Sequence, residues 1–201
     1  MKRFLPYLAL LISASALAEL ADGHVEGGRS PKGTYLIDTS RDPDKRENSI
    51  SIARQDHSRD FFPIYSYPRL SDLYFSPDEK RLVINDHSGS GSTECIVLTQ
   101  IKKPPYFAKP QKIDETCWKL FWSLHRKPNR ILYDHRSAYF CQWLDASRII
   151  VGLGGDHFFP DPGAQKWSLG EGWHCIYDLA RDKAYTSKFT DSKNKYEFKI
   201  E

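Results

Sequence analysis

The sequence predicts a mainly β protein built of antiparallel meanders, with one inserted helix near residues 114–126. Three observations carry that reading. Short β-prone runs alternate with turn residues, most clearly where Leu73-Tyr74-Phe75 and Arg81-Leu82-Val83-Ile84 flank Ser76-Pro77-Asp78-Glu79. The period changes between Ile113 and Leu124, where Ile113, Cys117, Leu120, Phe121 and Leu124 recur at spacings of three and four and trace one helical face. A second strand–turn–strand segment then follows at 142–151.

Taken in order, the chain opens with Lys2 and Arg3, an apolar run from Phe4 to Ile12, and the small residues Ala16-Leu17-Ala18 that suit a signal peptidase. The run is shorter than the roughly 20 apolar residues a hydrocarbon core requires. Residues 1–18 are therefore expected to be a cleaved signal peptide and the protein exported, periplasmic or secreted, with no transmembrane segment in the mature chain. The formal charge is +3, and Lys2 and Arg3 leave with the leader, so the mature chain is close to neutral. It lacks the basic footprint of a nucleic-acid binder, and no nucleic acid is expected as a partner.

Residues 19–33, Gly-rich and polar, read as a flexible lead-in; 34–190 as a single β-rich domain; 191–201 as a polar tail. Within the domain, Tyr35 to Asp38 reads as a strand, and Ile50 and Ile52 alternate with serines as a half-buried strand does. Phe61 to Tyr67 is β-prone but confined to an edge by Pro63 and Pro68. Residues 73–98 form a three-stranded meander that closes with Cys95 to Leu98, and His87 to Thr93 is a loop within it. Residues 104–112, with three prolines, read as a linker; Asp114 caps the helix and Pro128 stops it, with Trp118 and Trp122 extending its buried face. Strands follow at Ile131 to Tyr133 and Tyr139 to Leu144, about a turn at Asp134-His135-Arg136, and then at Arg148 to Val151. A long loop from Gly152 to Gly172 leads to Cys175 to Leu179, partnered by Lys183 to Phe189.

Residues 75–84 and 142–151 align turn on turn: Phe75 against Gln142, Leu82 against Ile149, Ile84 against Val151, and each leads through a loop to a strand opened by Cys95 or Cys175. The pattern Ser76-Pro77-Asp78-Glu79-Lys80-Arg81-Leu82, and the run Asp178-Leu179-Ala180-Arg181-Asp182-Lys183, resemble blades of β-propellers of the TolB-like and WD-type repeat superfamily. The resemblance implies blade-like antiparallel units. The separation of Arg81 and Arg148 fits no whole number of blades of about 40–45 residues, so a complete propeller is not expected.

Chemistry-bearing motifs are sparse. Asp-His occurs four times, at 56–57, 86–87, 134–135 and 156–157, each shortly after an expected strand. Turn chemistry accounts for such dipeptides, because Asp caps turns and adjacent strand residues point to opposite faces. Gly152-Leu153-Gly154-Gly155 lacks the third glycine and the helix of a dinucleotide loop. No catalytic residue, metal ligand set or cofactor is assigned. Four cysteines, at 95, 117, 141 and 175, permit two disulfides in an oxidising compartment, and Cys117–Cys141 is the preferred pair because it would tie the helix to the sheet it covers. The loop 152–172 is the expected ligand or partner surface: Asp156, His157, Phe159, Asp161 and Trp167, with Trp173 and His174 at its exit, put aromatics beside polar groups as glycan or protein recognition does. The functional expectation is an exported, non-enzymatic binding or envelope-interaction protein. The alternatives are a secreted hydrolase using loop His and Asp residues and an inhibitor of an extracellular enzyme.

Overall fold

The computed structural model describes residues 23–25, 27–42, 47–89, 91–125, 133–158, 166–194 and 199–200. Three antiparallel sheets follow one another along the chain. The first contains β2 (Gly28–Arg29), β3 (Tyr35–Asp42), β4 (Glu47–Arg54) and β5 (Phe62–Tyr67) in that order. The central sheet runs β1 (His24–Val25), β6 (Ser71–Phe75), β7 (Arg81–Asp86), β8 (Glu94–Gln100) and β9 (Phe107–Lys112). The last sheet runs β10 (Tyr133–Trp143), β11 (Arg148–Phe158), β12 (Lys166–Asp178) and β13 (Lys183–Tyr185), with β14 (Lys199–Ile200) also paired to β12. Helix α1 (Asp114–Leu124) crosses from the central to the last sheet, and the short α2 (Lys188–Lys193) follows β13. Among the described residues no helix is long and apolar enough to cross a membrane.

The central sheet is buried on both faces, which explains the unbroken apolar run Leu82-Val83-Ile84. Leu82 and Ile84 join Leu73, Phe75, Ile96 and Leu98 in a core shared with Tyr35, Ile50 and Ile52 of the first sheet. Val83, Cys95 and Val97 point the other way and meet α1 and the last sheet through Cys117, Phe121, Val151 and Trp173. Alternation along one strand thus divides its side chains between two cores. Helix α1 buries Cys117, Trp118 and Phe121, as its period predicts, while Trp122 is only half buried.

Both meanders of the aligned segments are three-stranded and antiparallel, but their turns differ by a residue. Phe75 pairs with Leu82, whereas Ile149 pairs with Trp143 and not with Gln142. The first turn holds an extra residue, with Glu79 at φ 57° and Ser76 accepting from the Arg81 amide through Oγ at 2.9 Å. In the second, Asp145 Oδ1 accepts from the Ser147 and Arg148 amides at 2.7 and 2.9 Å. Trp143 therefore takes the buried place that Phe75 holds, and Gln142 is left half buried.

Several elements differ from expectation. The described part of the lead-in is pinned: Val25 is buried against Leu73 as its cross-strand partner, and the Phe75 amide donates to the Gly23 carbonyl at 2.9 Å. The proline-rich segment supplies the edge strand β9, where the missing N–H of Pro110 is tolerated. No turn interrupts 133–143, which is one strand. The loop expected over 152–172 is mostly the two arms of a long hairpin, Arg148–Phe158 and Lys166–Asp178. The strand expected over Lys183 to Phe189 ends at Tyr185; α2, capped reciprocally by Ser187 and Thr190, follows and runs three residues into the expected polar tail, which also contributes β14. The expected leader, 1–18, lies outside the described residues.

The four cysteines are free thiols, so the Cys117–Cys141 bridge is not formed. Cys117 lies in the core beside the thiol of Cys175. Cys141 sits in the bulge of β10 between Phe140 and Gln142, its thiol turned towards the Tyr139 carbonyl at 3.9 Å. Contact with Cys175 and burial together push the Cys117 thiol well up, and burial, against the Gly152 amide and the Lys193 charge, moves Cys141 up to about 11.

Candidate functional site

The site lies where the end of the β6–β7–β8 meander meets the edge strand β10. Pairing of β6 with β7 sets Asp72 opposite Asn85, and the chain leaves β7 one residue before His87. His87 Nε2 lies 2.9 Å from Asp72 Oδ2, and its Nδ1 lies 3.0 Å from Thr93 Oγ1. An ionised carboxylate only accepts, so in the neutral ring Nε2 carries the proton and Nδ1 accepts from the Thr93 hydroxyl. The result is a hydroxyl–imidazole–carboxylate chain, with the Asp72 and His87 side chains 42% and 37% exposed.

The loop carrying His87 is fastened to β10. The Thr93 amide donates to Ser137 Oγ at 3.1 Å, Ser137 Oγ donates to the Gly91 carbonyl at 3.2 Å, and the Ala138 amide donates to the Thr93 carbonyl at 2.9 Å. Deeper in, Asn85 clamps Phe140: its Oδ1 accepts from the Phe140 amide at 2.8 Å and its Nδ2 donates to the Phe140 carbonyl at 3.4 Å. These bonds take up donors on the free side of β10, which would otherwise be open for pairing with another strand.

Beyond the edge, the Tyr139 ring lies over a strip of glycines. A Cβ on Gly152, its cross-strand partner, would come within 2.4 Å of the ring, and one on Gly172, at φ 84°, within 2.6 Å of the hydroxyl. Only glycine leaves room for the ring to lie flat on the sheet. A bulge between Leu153 and Gly155 interrupts pairing of β11 with β12 at the same place.

Together these residues enclose an open cleft of about 510 Å³. Asp72, His87, Thr93 and Ser137 supply its polar wall, Tyr74, Tyr139 and Phe140 its aromatic one, and Gly154, Gly155 and Gly172 bare backbone. Among the described residues no lysine or arginine lines it. The volume falls within the roughly 300–1,000 Å³ typical of small-molecule sites.

Of the residues singled out from sequence, Asp156 and His157 are at the far end of β11, where the register sets His135 opposite Asp156 and Asp134 opposite His157. Trp167 is the β12 partner of His157 and Ile200. Phe159 and Asp161 lie outside the described residues. Trp173 is 2% exposed and packs edge-on against Phe121 at 5.3 Å, so it belongs to the core and is not displayed. His174 is half buried and bound by Asn194, whose Oδ1 accepts from its amide at 2.6 Å and whose Nδ2 donates to its carbonyl at 2.9 Å. The cleft is instead built from Asp72, His87, Thr93 and Tyr139, together with glycines from the two ends of the expected loop. His87 does not work with its neighbour Asp86, which is buried and turned to the first sheet, where Tyr65 Oη donates to it at 2.6 Å.

Comparison with known proteins supplies no relative: no family model matches the chain, and neither a curated protein nor a solved structure is significantly similar to it.

Proposed function

We propose that the protein is an exported, non-enzymatic binding protein, and that the cleft between the central and last sheets is its ligand seat. The observation that carries this reading is the combination of an open volume of about 510 Å³ with convergent polar groups, aromatic walls and bare backbone. Small-molecule sites use such combinations to orient a ligand while burying its apolar parts. The seat is rigid, because the Asn85 clamp and the Thr93–Ser137 bonds fix its two walls relative to each other. The export half of the proposal rests on residues 1–18; N-terminal sequencing of the exported protein should begin at Glu19, and an intact Met1 would refute it.

The binding half is tested by amide chemical-shift mapping during a screen of small polar compounds. Hits should move the signals of Asp72, His87, Gly154 and Gly155, and His87→Ala should weaken them. Hits that consistently map elsewhere, or no hits, would refute the seat.

One observation favours a second reading, a hydrolase. In the chain Thr93–His87–Asp72, a hydroxyl contacts an imidazole that a carboxylate orients, the arrangement that activates a nucleophile. On this reading, turnover of p-nitrophenyl acetate should be lost in both Thr93→Val and His87→Ala. Equal background rates in wild type and variants would exclude it for that class of ester.

A further inference from the structure

We infer that the ligand of the cleft is a neutral saccharide; this rests on the cleft being a ligand seat, as proposed above. Charge is the first argument. The two ionisable side chains in the described lining that can carry charge near neutral pH, Asp72 and His87, are bonded to each other at 2.9 Å, and among the described residues no lysine or arginine lines the cleft with them. A phosphate, sulfate or carboxylate ligand would meet Asp72 with no fixed cation to hold it, and the cost of burying such a charge unpaired excludes that class.

The polar groups are of the kind that bind hydroxyls. Asp72 gives one oxygen to His87, leaving its Oδ1 to accept, and a carboxylate oxygen takes hydroxyl donors in short, strong bonds. The bare backbone at Gly154 and Gly155, both half buried, lets a ligand approach main-chain groups there with no side chain of their own between. Opposite this polar wall, Tyr139 lies flat on its glycine strip and presents a ring to the cleft. A pyranose has this same division, with hydroxyls round its edge and C–H groups on its faces. An extended peptide is disfavoured by the edge it would need. Strand addition uses unpaired main-chain groups, and on β10 the amides of Ala138 and Phe140 already donate to Thr93 and Asn85.

The test is isothermal titration of the purified protein with glucose, galactose, mannose and N-acetylglucosamine, and with the α1,4- and β1,4-linked tetramers of glucose. At least one should bind more tightly than about 1 mM. Its affinity should fall at least about tenfold in Asp72→Asn, which alters a half-exposed side chain, and in Tyr139→Leu, which keeps apolar cover but removes the ring. Glucose 6-phosphate should bind no better than glucose. The tripeptides Gly-Gly-Gly and Ala-Ala-Ala are titrated in parallel. If no saccharide binds, or if a saccharide binds equally to both variants, the inference is overturned. Tripeptide binding that Asp72→Asn abolishes, with no saccharide binding, would overturn the ligand class and leave the cleft standing as a seat. Silence from both series, with no shifts at the cleft in the wider screen, would overturn the seat itself.

Discussion

Replacing Asn85 by Ala is the most informative single perturbation of the fold, because that buried side chain of the central sheet holds both main-chain groups of Phe140 in the last sheet, beneath the cleft. Asn85 is 4% exposed and Phe140 3%, so water cannot take over the bonds that are lost. The Phe140 amide, held at 2.8 Å, becomes a buried orphan, which costs about 1–3 kcal/mol. The bond to the Phe140 carbonyl is long, at 3.4 Å, and adds up to about 1 kcal/mol. A loss of about 2–4 kcal/mol is expected, and for a chain of this size that lowers the melting temperature by roughly 5–15 °C. Urea unfolding followed by tryptophan fluorescence reads the change, with an unaltered slope against denaturant showing that the unfolded state is the same. Asp72→Ala is the control: it removes a half-exposed contact with His87 and should cost less than about 1 kcal/mol. If Asn85→Ala fell within that same limit, the clamp would not be what holds the two sheets together.

Gly152→Ala should destabilise by about 1–3 kcal/mol, because a Cβ there lies 2.4 Å from the Tyr139 ring and must displace it; an unchanged melting temperature would show that the ring does not lie on the strip. Burial raises the Asp114 carboxyl from 3.8 to about 7, although the Cys95 amide donates to it. Because the folded state then holds a proton that the unfolded state has released, stability should decline as pH rises from about 4 to 7 and level off above; in Asp114→Asn that decline should disappear, and identical pH profiles would refute the assignment. All four thiols should react with a maleimide in denaturant, and slowly or not at all in the native protein for Cys95, Cys117 and Cys175; recovery of a Cys117–Cys141 peptide under non-reducing conditions would contradict the free thiols.

The strands that the sequence displays best are those whose reasons are local. Ser76, Pro77 and Asp78 form their turn largely with one another, and the helical period from Ile113 reports a face that is buried at Ile113, Cys117 and Phe121, half buried at Leu120 and exposed at Leu124, in the last turn. The hairpin of β11 and β12 was hidden because its stability is borrowed. Gly152, Gly154 and Gly155 have little strand preference of their own, and Gly152 is covered by Tyr139 from the neighbouring strand. The cleft was hidden for the same kind of reason. His87 stands next to Asp86 in sequence, yet the register of β6 against β7 gives it Asp72, 15 residues earlier, and the loop gives it Thr93. Adjacent residues on a strand diverge, so the neighbour was the one carboxylate least able to reach it.

The pairing of β1 with β6 has a consequence for the order in which the molecule is made. His24 and Val25 find Tyr74 and Leu73 only after the whole first sheet has been traversed, so that sheet is a closed excursion of the chain, with both its ends held at one edge of the central sheet. A chain that emerges N-terminus first must carry these two residues unpaired until 71–75 follow. The meander between them can form meanwhile from near neighbours alone, at small entropic cost. Closing the excursion is therefore a late step. A shortened N-terminus lacking His24 and Val25 would leave the first sheet able to form but fastened to its neighbour at one end only.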